Sequence, residues 1–489
     1  MRAPRQRRIF FLVVPLLAPV VALLTLEAVL RLAGVGTPSA ATDPGRGFLP
    51  FESLFREEDG ALVLETPPHD LPFMNLKQFN AQRIPTPKPP DEVRLVVLGG
   101  SVVYGWPYDD RLSPPRLVEA GLRAAAPDRT WRVINLGAPG WGSSRLRLLG
   151  DDVARLEADV VVVMTGHNEG IEAELAQEIV AEREARLRLL SRLARRSHLV
   201  TWMITHLPSL DALTGGQDPE RRREVLESIA ARRDLLVTRY ADNLAAIVRR
   251  QQEGGARVLV ATMASNLRSC PPFGPSPDVL SGSRPELSNV FDRALAQLES
   301  GDPRGALATL GPLSAELPDD PNVMFLLARA REAAGEDADE AYRAALALDA
   351  TIARAFPALN VVATRVAERT DAVLVDLVSA MDAASTHGVP GDDLFRDNCH
   401  PNRAGSRVLT AALGDGLARV GLLPDDATDR FVAGVDAYLA GVAIPAELEL
   451  EALKFELFYF MVMNPDPARE RETRRRIAEL DPEGRVELP

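Results

Sequence analysis

The stretch Arg94-Leu-Val-Val-Leu-Gly-Gly-Ser101-Val-Val-Tyr-Gly105 decides the fold. It reads as a short buried strand that runs straight into a glycine turn carrying one serine. The glycines let the backbone turn sharply and let another group come close to the serine. A serine at the C-terminal end of such a strand stands where open α/β sheets place their ligands. By itself the stretch also fits an ordinary strand-to-helix turn with a capping serine. The segments around it separate the two.

Downstream the pattern alternates. Strands are expected at Val93–Leu98, Arg132–Leu136, Asp159–Met164, Arg257–Ala261 and Ala372–Asp376. Helices are expected at Pro115–Ala126 and over 144–156. The run Val160-Val-Val-Val163 implies burial on both faces, hence a parallel sheet covered by helices. Five strands separated by helices give an α/β, doubly wound, three-layer domain.

The remaining organisation follows from composition. Arg2, Arg5, Arg7 and Arg8 precede an apolar run of 18 residues, Ile9 to Leu26. That length is at the lower limit for crossing a bilayer, and the arginines place the N-terminus inside. The sequence therefore predicts an uncleaved signal anchor over 1–35; a cleaved signal peptide is the rival. Either exports the remainder, so the expected location is the inner membrane, single-pass, with the catalytic domain on the periplasmic side.

Residues 36–90, rich in proline and charge, read as a linker and lead-in. The α/β domain spans 91–284 and 354–422. A charged helical insert occupies 170–250, and its apolar patch at 198–207 suits a lid, a membrane-surface contact or a core helix. A second insert at 285–353 repeats itself: Ala296, Gly301 and Asp302 return as Ala330, Gly335 and Glu336, 34 residues on. That is the tetratricopeptide period, and the insert resembles that repeat. It is a candidate docking site for a protein partner. Residues 423–489 read as a helical extension without chemistry.

The net charge of −13 and the lack of a basic stripe argue against nucleic acid. Two isolated cysteines, Cys270 and Cys399, build no zinc site, although in an oxidising compartment they can pair. No metal or cofactor is called for.

Four segments offer polar groups: Gly99-Gly-Ser101, Asn135 to Gly142, Thr165-Gly-His167-Asn168-Glu169, and Asp397-Asn-Cys-His400. Parallel strands gather their C-terminal ends on one edge, so these turns should meet there. Serine is a weak nucleophile until a base takes its proton, and His400 can be that base. Asp397, three residues earlier, can hold the imidazole's tautomer and stabilise its charge. The amides of Ser101 and Gly140 and the side chain of Asn168 can form an oxyanion hole.

These motifs resemble the SGNH (GDSL-like) hydrolase family. Leu98-Gly-Gly-Ser101-Val-Val-Tyr-Gly105 resembles its serine block, Gly140 its oxyanion glycine, Gly166-His-Asn168-Glu its asparagine block and Asp397-x-x-His400 its Asp-x-x-His. Gly100 and Glu169 stand where the family has aspartates. The resemblance implies the same roles and a membrane-anchored bacterial branch. His167 and Arg268 are candidates for substrate contacts, with a structural ion pair as the other reading of Arg268. The remaining histidines, His69, His198, His206 and His387, read as surface or packing residues. The expected function is an esterase or deacylase acting on an acylated envelope glycan or lipid. An acyltransferase using the same triad is the alternative, and a non-catalytic scaffold acting through the repeat is the second.

Overall fold

The structure, a computed structural model, describes residues 19, 21–35, 53–64, 79–173, 197–206, 233–272, 284–349, 354–463, 467–482 and 484. Most of the apolar N-terminal run and of the 170–250 insert lies outside them. Among the described residues no single helix is long and apolar enough to cross a membrane.

The chain forms two compact units. In the smaller, residues 21–32 are helical. There the Glu27 carboxylate accepts hydrogen bonds from Ser197 Oγ (2.7 Å), His198 N (3.1 Å) and Leu199 N (2.9 Å). It thereby caps the helix His198–His206 by satisfying its free first-turn amides.

The larger unit contains a five-stranded parallel sheet. Its strands are β4 (Glu92–Gly99), β5 (Thr130–Gly137), β6 (Val160–Met164), β7 (Arg257–Ala261) and β8 (Val373–Val375), in the order β5-β4-β6-β7-β8. This is the doubly wound arrangement expected, with the switch point between β4 and β6. The side chains of Leu95 to Leu98 and of all five β6 residues are at most 1 % exposed. Continuous apolar runs form central strands because helices cover both sheet faces. Ser113 caps the helix Pro114–Ala125, which buries Leu117, Val118 and Leu122.

Register does the rest. Gly99 of β4 pairs with Gly137 of β5 and with Met164 of β6. Three strands thus end level, and Ser101, Ala138 and Thr165 all leave the same edge.

Three expectations change. The 36–90 lead-in holds a small antiparallel sheet of β1 (Arg56–Glu58), β2 (Ala61–Leu64) and β3 (Gln82–Pro85). Asp59 and Gly60, with φ of 46° and 69°, make the tight turn between β1 and β2. The helix Arg233–Glu253, read as part of the first insert, belongs to the α/β domain and buries Tyr240, Leu244, Ile247 and Val248. The C-terminal helices, read as an extension without chemistry, brace the loop that carries Asp397 and His400. Arg396 pairs with Glu456 at 2.7 Å, and Asp392 pairs with Arg469.

The second insert consists of helices Leu287–Glu299, Pro303–Glu316, Pro321–Ala333 and Asp339–Leu348. Gly301 and Gly335 terminate the first and third with matching φ of 76° and 77°. Ala294, Ala306, Leu310, Leu326, Leu327 and Ala330 form its own small core.

Candidate active site

Ser101 opens a short helix, Ser101–Tyr104, directly after β4. Its hydroxyl lies 2.7 Å from His400 Nε2. The other ring nitrogen, Nδ1, lies 2.6 Å from Asp397 Oδ2. Asp397 Oδ1 accepts the amides of Cys399 (2.9 Å) and His400 (2.8 Å), which folds the loop back on itself. One carboxylate therefore shapes the loop with one oxygen and orients the imidazole with the other.

All three groups are buried. Burial alone disfavours the charged imidazolium, but the Asp397 charge and hydrogen bond outweigh it and hold the His400 pKa well above 6.5. Burial would raise the Asp397 carboxyl; His400 and the two loop amides bring it below its ordinary value. An imidazole bonded to a hydroxyl and a carboxylate can take the hydroxyl's proton while the carboxylate stabilises the resulting charge.

The expected oxyanion donors lie close by. Ala138-Pro139-Gly140-Trp141 forms a turn closed by Trp141 N to Ala138 O at 3.1 Å. Gly140 has φ of 73°, as the third residue of a type II turn requires. Asn168 Nδ2 donates to Trp141 O at 2.9 Å, using one of its two hydrogens. Gly100 gains a physical reason: a Cβ there would meet Asn168 Nδ2 at 2.3 Å. The asparagine amide occupies the space that a side chain at position 100 would need.

His167 is 5 % exposed, and its Nδ1 accepts the Ala355 amide at 3.0 Å. Burial, then the nearby His400 charge, bring its pKa down to about 3, which favours the neutral imidazole. Arg268 pairs with Glu332 at 3.2 Å and ties the loop after β7 to the second insert. That is the ion pair expected as the other reading of Arg268. Cys270 and Cys399 are free buried thiols. Cys270 lies 3.1 Å from Tyr459 Oη, and Cys399 Sγ lies 3.9 Å from His400 Nδ1. The two are therefore not bridged.

Several supporting residues escaped the sequence reading. Asn266 Nδ2 donates to Asp397 O at 2.9 Å, and Asn266 N donates to Asn398 O at 3.0 Å. Buried Arg354 donates to Asn266 O at 2.6 Å and to Cys270 O at 3.1 Å. Arg145 and Glu172 pair beside Gly140 at 2.7 Å. Isolated charged residues look solvated in a sequence; only long-range pairing buries them.

Residues 97–306 match the GDSL-like Lipase/Acylhydrolase family. No curated protein matches the chain. A GDSL-like lipase from Bacteroides thetaiotaomicron is 12 % identical over 67 % of this chain and 88 % of its own, with a TM-score of 0.28. An acetyl-xylooligosaccharide esterase from Geobacillus is 13 % identical over 66 % and 94 %, with a TM-score of 0.31. The chain is an ester-hydrolysing serine hydrolase whose residues 97–306 are similar to the GDSL-like acylhydrolases. The family match ends at residue 306, before Asp397 and His400.

Proposed function

We propose that the protein is an exported, membrane-anchored serine esterase that deacylates a glycan or lipid of the cell envelope. What supports this reading above all is the chain of contacts from Ser101 Oγ through His400 to Asp397, at 2.7 and 2.6 Å. His400 Nε2 takes the Ser101 proton as Oγ attacks the ester carbonyl. The tetrahedral oxyanion accepts hydrogen bonds from the Ser101 and Gly140 amides and from Asn168 Nδ2. The intermediate collapses, the alcohol leaves with the proton held by His400, and the acyl group stays on Oγ. Water, deprotonated by His400, attacks the acyl-enzyme; acid is released and the proton returns to Ser101.

The location rests on the arginine-led apolar run, and the substrate class on that location. The second insert acts as a pair of tetratricopeptide-like units, a docking surface on the periplasmic side. Its helix pairs begin at Leu287 and Pro321, 34 residues apart.

The test is hydrolysis of a panel of p-nitrophenyl esters beside acetylated polysaccharides, with acetate release compared with acetyl transfer to an oligosaccharide. Release with a preference for short acyl chains is expected. Transfer without release would make the enzyme an acyltransferase, and activity on neither would remove the esterase reading.

A further inference from the structure

Two carboxylates and one guanidinium lie buried behind the site and take no part in the triad. Arg145 is 1 % exposed and Glu172 2 %. Their ion pair, Arg145 Nε to Glu172 Oε1, is 2.7 Å long. Burying such a pair carries a desolvation cost that good geometry only offsets, so its position deserves a physical explanation.

The contacts give one. Glu172 also accepts the amides of Ser144 (2.8 Å) and Arg145 (3.2 Å). Glu169 accepts Ser143 N (2.9 Å) and Ser143 Oγ (2.6 Å). Arg145 Nη2 donates to the Gly140 carbonyl, and its guanidinium lies 5.2 Å from the Trp141 ring centroid. Asn168 holds the next carbonyl, that of Trp141. One segment, 168–172, thus grips the 140–145 segment at successive points.

The grip matters because of the turn it holds. A type II turn differs from a type I turn by a flip of its central peptide, here the one that carries the Gly140 N–H. Glycine tolerates many backbone conformations, so residue 140 does not by itself fix that peptide. Bonds to the Gly140 and Trp141 carbonyls restrict the following peptides and so limit the flip.

We propose that Arg145 and Glu172 are a positioning pair that fixes the turn presenting the Gly140 N–H to the oxyanion. This rests on the oxyanion role given to Gly140 above. The pair acts through the turn and touches no reacting atom. Its loss lowers kcat and leaves KM nearly unchanged, since the donor acts on charge that develops in the transition state.

The experiment measures p-nitrophenyl acetate hydrolysis by wild type, Glu172→Gln, Arg145→Met and Arg145→Lys. Competent sites are counted by titration with a fluorophosphonate, so that kcat refers to folded enzyme. Arg145→Met should lower kcat per titrated site by about 100-fold with KM within about twofold, up to the loss of one oxyanion donor. Arg145→Lys keeps the charge without the fork that spans Glu172 and the Gly140 carbonyl, and should lose about 10-fold. If Arg145→Met does not fold, Arg145→Lys and Glu172→Gln decide. Wild-type kcat per site in the folded variants, with the wild type labelled at Ser101, overturns the positioning role alone. A wild type that neither labels nor hydrolyses the ester overturns the catalytic reading, and this proposal with it.

Discussion

The two halves of the site are held in different ways. Ser101, Gly140 and Asn168 follow three adjacent strands whose ends are level because β4, β5 and β6 pair in register. Asp397 and His400 sit on a loop held by polar contacts: Asn266 to Asp397 O, Asn266 N to Asn398 O, and Arg396 N to His400 O at 2.9 Å. Burial of a valine on the sheet side is worth about 1.5–3 kcal/mol, whereas a typical hydrogen bond contributes about 1 kcal/mol net. The strands beneath Ser101, Gly140 and Asn168 are therefore set by many apolar contacts that tolerate exchange, whereas the 397–400 loop, like the Gly140 turn itself, is set by a few polar contacts that do not.

The largest expected effect ignores that difference. Ser101→Ala and His400→Ala, one from each half, should each lower kcat on p-nitrophenyl acetate by about 10⁴–10⁶-fold, since nucleophile and base act as a unit. Thermal melts should stay close to wild type. A loss confined to one of the two would show that the halves do not share a reaction.

Asp397→Asn should cost about 10⁴-fold and also move the pH profile. His400 acts as a base only when neutral, so activity falls as pH drops through its pKa. Asp397 holds that pKa above 6.5, so the acid limb of kcat/KM lies above 6.5 in the wild type and moves down in the variant. An unmoved limb would separate Asp397 from His400.

A smaller effect contrasts the supports. Asn266→Ala removes donors to the loop while leaving the side chains of Ser101, His400 and Asp397 intact. It should lower kcat about 10-fold, with a stability loss of about 1–3 kcal/mol. Val162→Ala, in the middle of β6, should lower stability by a similar amount and leave kcat per folded molecule unchanged. Chemical denaturation and active-site titration read both. Equal effects on kcat would erase the distinction between the halves.

The same distinction explains what was legible in the sequence. Val160 to Val163 and Leu95 to Leu98 announced buried strands through composition alone, and all five strands of the main sheet lie where they were expected, within two residues at each end. Ser101, Asn168, Asp397 and His400 were readable as candidates because each chemistry needs that residue type after a strand or in one short loop, and the structure brings Ser101, His400 and Asp397 within hydrogen-bond distance in turn. The β1–β2 hairpin carried the right signal in Asp59-Gly60, but its strands of 3 and 4 residues were too short to show a period. Arg145, Glu172 and Arg354 carried no signal, because their burial depends on partners 27, 27 and 88 residues away. Arg268 was open between two roles, and Glu332, which no local pattern links to it, supplies the ion pair.

Labelling by a fluorophosphonate probe, followed by peptide mass spectrometry, tests most directly whether Ser101 and His400 form one working pair. The label should sit on Ser101 in the wild type and be lost in Ser101→Ala and His400→Ala. A label on another residue, or full labelling of Ser101 without His400, would contradict the account.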